Sequence, residues 1–191
     1  AMDIMRTITG LDSDLELKSC CAAVYQSDWA KLLLGDSLHP GGLKLTGMLG
    51  QKMALGPEDK VLDVASGTGR SALFLAQTFG CQVLGVDYSQ EGVERANRQA
   101  AAAGLSQLVS FRHGDAESLP LADASFDAII CECAFCTFPD KIRGASEFSR
   151  VLKAGGRLGL SDLTREGNLP ESLNSLLGWV ACIADARPQS E

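Results

Sequence analysis

The chain has 191 residues, 46% hydrophobic and 21% charged, an ordinary globular composition at a length with which one domain buries a substantial core. A net charge of −7, with no Lys/Arg cluster to offset it, argues against nucleic acid as a partner, and no apolar run approaches the ~18 residues of a membrane span. Seven cysteines without a secretory signal point to a reducing, cytoplasmic compartment, where thiols serve metals or chemistry rather than disulfides.

In chain order, residues 12–55 read as helices broken at "DSLHPGG", and in the second of them Leu45, Met48, Leu49 and Met53 fall on one stripe. From 60 to 163 short β-branched runs ("KVLDVA", "QVLGVD", "LVSFRH", "FDAIICEC", "GRLGLSD") alternate with helical stretches ("RSALFLAQTFG", "SQEGVERANRQAAAAG", "DKIRGASEFSRVLKAGG"). That alternation predicts an α/β fold, a doubly wound, mostly parallel sheet with helices on both faces. A last helix, "ESLNSLLGWVACIADA", is expected after Pro170.

Ligands of such a sheet bind beyond the carboxyl ends of its strands. "VLDVASGTGR" reads as strand, glycine turn and helix, where Gly67 and Gly69 admit close approach and the helix N-terminus offers amides to a carboxylate. Asp63, expected inside the turn, suits an ammonium group or the loop's own amides. Asp87 ends the second strand in position to accept from ribose hydroxyls, and Asp115, after the third, can bond an adenine amino group. Gly67-x-Gly69-x-x-Ala72 with Asp87 also satisfies the dinucleotide fingerprint, but Asp63 would stand where a pyrophosphate has to approach.

Taken in order, "VLDVASGTGR", "GVDYS", "GDAESLPLADASFDAII" and "RVLKAGGRLGLSD" resemble the motifs of class I S-adenosylmethionine-dependent methyltransferases over residues 60–163. The resemblance implies S-adenosylmethionine as cofactor. It puts Asp63 and the turn Ser66, Gly67, Thr68 and Gly69 at the methionine part, Asp87 at the ribose and Asp115 with Ala116 at the adenine; Tyr88 and Glu132 complete the cofactor set. It divides the chain into a helical lid or substrate region, 1–56, and the cofactor-binding core, 57–191. Ala65 departs from the family's first glycine, at little cost unless that position needs positive φ.

The stretch "CECAFCTFPD" follows the fourth strand, where enzymes that methylate the amino groups of bases carry an Asn/Asp-Pro-Pro-aromatic turn. Thiolates prefer soft, thiophilic centres such as trivalent arsenic, whose lone pair needs no general base. Both histidines, His39 and His113, read as structural. Of Cys131 and Cys133, at the end of the strand, one is expected to face the site and the other a helix layer. Cys81 reads as core. Cys131, Cys133 and Cys136 lack the paired halves of a zinc site, and no resident metal is expected.

The segment from "CECAFCTFPDK" to "LLGWVACIADA" is similar to arsenite methyltransferases. That resemblance implies catalytic roles for Cys133 and Cys182, together with an N-terminal thiol for which Cys20 and Cys21 are both candidates. A methyltransferase for an organic small molecule, such as a quinone or thiol, with structural cysteines, and a metalloid-binding module without turnover are the alternatives. The sequence carries no hairpin after the fifth strand, which predicts an exposed edge there, self-association or lowered stability, and weak turnover beside intact cofactor binding.

Overall fold

A computed structural model describes residues 13–26, 41–164, 166 and 186. Among the described residues, the helices α1 (Asp14–Gln26) and α2 (Gly42–Lys52) precede the alternating unit. That unit runs β1 (Lys60–Val64), α3 (Arg70–Phe79), β2 (Gln82–Asp87), α4 (Gln90–Ala102), β3 (Val109–His113), β4 (Phe126–Glu132), a short 3-10 turn (Phe135–Thr137), α5 (Lys141–Val151) and β5 (Leu152–Ser161). The expected final helix and Cys182 lie outside the described residues.

The five strands pair in the order β3-β2-β1-β4-β5, all parallel. The order reverses beside β1, so the crevice at the carboxyl ends of β1, β2 and β4 is the natural ligand site. Strand alternation sends Val61, Val83, Val109, Ala128 and Ile130 to one face, against Ala72, Leu75 and Ala76 of α3 and Val93, Ala96 and Ala100 of α4. Leu62, Val64, Ile129 and Cys131 pack on the other, against Phe148 and Val151 of α5. Cys81 is buried among the residues of the first face, as expected.

Phe111 sets the height of the glycine turn. Its ring lies against Gly85 and Gly69, where an added Cβ would come within 2.3 Å and 2.5 Å of the ring. Asn97 of α4 anchors the same residue twice, donating to its carbonyl at 2.9 Å and accepting from its N–H at 3.0 Å.

Three expectations are corrected. β5 begins at Leu152 rather than near Gly156, because an irregularity in its pairing lets Phe126 face Leu152 while Ala128 faces Arg157. The buried side of α2 carries Thr46 and Gly50, followed by Met53, whereas Met48 is 47% exposed. The stripe rotates because Gly50 is the surface on which Phe79 of α3 rests, with room for no Cβ. Asp63 belongs to β1 itself, not to the turn that follows. Among the described residues β5 is an edge of the sheet, and Leu158 and Leu160 on it are 50% and 43% exposed.

Candidate active site

A cleft opens at the carboxyl ends of the strands, bounded by the turn after β1, the ends of β2 and β4, the segment after β3, and α1. Asp63, Ser66, Gly67, Thr68, Asp87, Tyr88, Asp115, Ala116 and Glu132 line it, as do Cys133 and Cys21. Gly69 does not; it turns the chain into α3 with φ 79° and packs on Phe111. Of the adjacent N-terminal pair, Cys21 reaches the cleft, and Cys20 is half-buried outside its lining.

The turn after β1 holds itself in shape. Asp87 accepts from the Gly67 N–H at 2.7 Å and the Ser89 N–H at 2.9 Å, so the acid at the end of β2 ties the glycine turn to the start of α4. Burial nevertheless pushes the Asp87 carboxyl up, and these amides and His113 only partly offset it. Ala65 sits in the left-handed region at φ 57°, the one circumstance in which its missing glycine matters. An L-residue pays about 1–2 kcal/mol for that conformation.

Asp63 carries the clearest electrostatic signature. It is 2% exposed, and its Oδ2 has no hydrogen-bond partner. Burial, then the neighbouring Glu132 and Asp87 charges, push its carboxyl well above the usual carboxylate range. Ser66 Oγ, also lining the cleft, is likewise buried without a partner. Buried polar atoms left unsatisfied beside three acids fit a ligand that brings hydrogen-bond donors and positive charge. S-adenosylmethionine, with an ammonium and a sulfonium, supplies both.

The far end of the cleft is closed differently. Asp115 accepts from Lys18 Nζ of α1 at 2.8 Å and from the Glu117 N–H at 2.9 Å. Glu117, 6% exposed, accepts from the same Lys18 at 2.5 Å and from the Asp140 N–H at 2.8 Å. Sequence reasoning missed Lys18 and Glu117. A second acid two places after Asp115 was a visible signal for Glu117, but Lys18 stands 97 residues from its partner with no local mark.

The two cysteines do separate, but not through alternation: two residues apart in a strand they would share a face, and they part because Cys133 lies beyond the end of β4 with a left-handed backbone. Cys131 is fully buried against the α5 side, and burial, with Asp162 and Asp63 nearby, pushes its thiol well up. Cys133 emerges one step beyond β4 at φ 53°, with its N–H donating to the Ser161 carbonyl at 2.7 Å. Asp162, following β5, accepts from the Cys136 N–H at 2.7 Å, so the end of β5 pins both ends of the cysteine loop. Cys136 itself is buried. No group of His, Cys, Asp and Glu suited to a metal ion occurs among the described residues.

The profile of the methyltransferase domain family matches residues 62–160. The chain belongs to this methyltransferase domain family. It is 39% identical to an arsenite methyltransferase of Aquipseudomonas alcaligenes across 84% of this chain and 49% of that protein. It is 34% identical to the methyltransferase GfsG of Streptomyces halstedii across 86% of this chain and 59% of that protein. The chain therefore spans about half to three-fifths of the length of these curated relatives. Among solved structures it resembles the [4+2]-cyclase SpnF, with a TM-score of 0.64 and 32% identity over 76% of this chain and 51% of that one. The domain's cofactor is S-adenosylmethionine. Among the described residues no helix is long and apolar enough to cross a membrane.

Proposed function

We propose that this methyltransferase domain moves a methyl group from S-adenosylmethionine to a small thiophilic substrate, trivalent arsenic, held by cysteine sulfur. The observation that carries the reading is that Cys21 of α1 and Cys133 after β4, far apart in sequence, line one cleft with the cofactor acids. Cys182 is the third sulfur of the proposal, and Cys20 the alternative to Cys21. Asp63, with the Ser66–Gly69 turn, would hold the methionine part, Asp87 and Tyr88 the ribose side, and Asp115 with Ala116 the adenine. When bound, the cofactor supplies an electrophilic methyl on a sulfonium.

The protein's part is to hold and orient. Each thiol that binds arsenous acid replaces one hydroxyl, forming As–S and releasing water, so the thiol proton leaves with the hydroxide. A thiol with a high pKa can therefore still ligate at equilibrium. The arsenic lone pair needs no proton removed before it reacts, in keeping with a cleft lined by no histidine among the described residues. Residues 1–56 act as a lid in this proposal, supported by the Lys18 contacts to Asp115 and Glu117. The exposed leucines of β5 support self-association along that edge, which sedimentation would read as a dimer.

Intact-mass measurement with arsenite tests the holding step. Wild type should gain arsenic, with loss of one water per thiol engaged, and Cys133→Ser should gain far less. Equal uptake by both would overturn the assignment. A second reading, methylation of an organic small molecule beside structural cysteines, is favoured by Cys21, whose thiol burial pushes up to about 12. Turnover on quinones or small thiols that survives Cys133→Ser would favour it. Arsenic uptake without consumption of S-adenosylmethionine would instead mark a binding module.

A further inference from the structure

Thr46 is fully buried on α2, where a hydroxyl is costly unless it is bonded. A buried helical threonine ordinarily bonds a carbonyl one turn back. Here Oγ1 reaches across the fold to Glu132, 2.9 Å from Oε2 and 3.2 Å from Oε1. Ser71 Oγ, in the first turn of α3, donates to the same Oε2 at 2.7 Å, and the two hydroxyls stand 3.4 Å apart. A carboxylate only accepts, so both hydroxyls turn their single protons toward it. Strand alternation puts Glu132 on the same sheet face as Ile130 and Ala128, the face that Asp63 shares one strand away.

We propose that Thr46 and Ser71 are positioning residues that fix the Glu132 carboxylate at the cleft, where its charge raises affinity for a cationic sulfonium relative to the neutral thioether left after methyl transfer. The proposal rests on the cofactor reading of this same cleft. Asp63 and Glu132 stand on one side of the cleft, and both line it. S-adenosylmethionine and S-adenosylhomocysteine share every group that Asp87, Asp115 and the glycine turn would hold. They differ in one methyl and one positive charge, so a fixed carboxylate acts on the difference between them. A side chain free to rotate toward water would lose most of that discrimination. Because α2 lies outside residues 62–160, the N-terminal region would tune the electrostatics of the cofactor site as well as cover it.

Calorimetric titration of the protein with S-adenosylmethionine and, in parallel, S-adenosylhomocysteine tests this without turnover. The readout is the ratio of the two dissociation constants in wild type, Thr46→Val, Thr46→Ser, Ser71→Ala and Glu132→Gln. The preference for the sulfonium should fall about three- to tenfold in Thr46→Val and at least as far in Glu132→Gln, the scale of one lost hydrogen bond. Thr46→Ser, which keeps the hydroxyl, should restore it. If Thr46→Val does not fold, Ser71→Ala and Glu132→Gln carry the same comparison. A ratio unchanged in the folded variants overturns the proposal, even where both ligands bind more weakly, because a merely structural role weakens both alike. Wild type that binds neither ligand would overturn the cofactor reading itself, and this inference with it.

Discussion

Lys18 of α1 and Asp115 after β3 form an ion pair at 2.8 Å across 97 residues, so the acid expected to meet the adenine already holds the N-terminal helix. Their side chains are 16% and 31% exposed, while Glu117, the second acceptor, is 7% exposed. Lys18 thus neutralises a buried acid and closes one end of the cleft with the same three N–H donors.

Lys18→Met should therefore cost stability chiefly through Glu117, by about 1–2 kcal/mol, the scale for a buried acceptor stripped of its partner. The pH dependence has a definite sign. Burial alone would lower the Lys18 pKa, but the bonds and charges of Asp115 and Glu117 outweigh it and raise it. The contribution is then complete below the ordinary lysine value and is lost as pH rises through the higher folded value. Hydrogen exchange of the α1 amides should show release on the alkaline side in wild type and at neutral pH in Lys18→Met.

Asp63 predicts opposite signs for stability and binding. With its folded pKa raised, the charged form is disfavoured in the fold, and the group's stabilising effect is present at low pH and lost as pH rises through the folded value. Asp63→Asn should raise the melting temperature of the ligand-free protein at pH 7 while weakening S-adenosylmethionine. Asp87→Ala should weaken the cofactor by about 1–3 kcal/mol through lost charge-assisted bonds, and it should also loosen the Gly67 turn that Asp87 accepts from. Thermal melts with and without ligand separate the two variants; a destabilised Asp63→Asn would contradict the electrostatic account.

Gly85→Ala probes the floor of the cofactor turn. The new methyl would meet Phe111 at 2.3 Å and Ser66 Oγ at 2.7 Å, so ring and turn must both shift. A loss of about 1–3 kcal/mol is expected from such overpacking. Denaturant melts should show it, and an unchanged midpoint would mean that Phe111 relocates freely.

The alternating core was legible because each strand and helix carries its own local pattern: "KVLDV" and "QVLGVD" announce β1 and β2 and also mark the acids at their ends. The separation of Cys131 from Cys133 was expected for the wrong reason: period two puts both on one face, and the left-handed backbone of Cys133 beyond β4, which carries no mark in the sequence, parts them. Thr46, Ser71 and Lys18 were not legible, because each acquires its meaning from a partner 61 to 99 residues away. The α2 stripe misled for a related reason: Met48 matches a helical period, but the aromatic ring of Phe79 selects Gly50 for the inner face. Ala65 shows the reverse case, in which sequence posed the right condition and backbone geometry answered it with φ 57°.

Cys21 should be slow toward alkylation. With its thiol pushed up to about 12 by burial and by Cys20 beside it, its thiolate fraction at pH 8 is on the order of a thousandfold below that of an ordinary cysteine. Its rate with iodoacetamide should keep climbing as pH rises toward 12. Peptide mapping of the modified protein reads this directly, and rapid labelling at pH 8 would show that α1 leaves the cleft open.

The most direct test of the proposed function is release of S-adenosylhomocysteine when arsenite is added to the protein with S-adenosylmethionine and a thiol reductant. The account predicts release that depends on arsenite and falls at least about tenfold in Cys133→Ser, while that variant binds the cofactor as wild type does. Arsenite-dependent release that is equal in wild type and Cys133→Ser would contradict it.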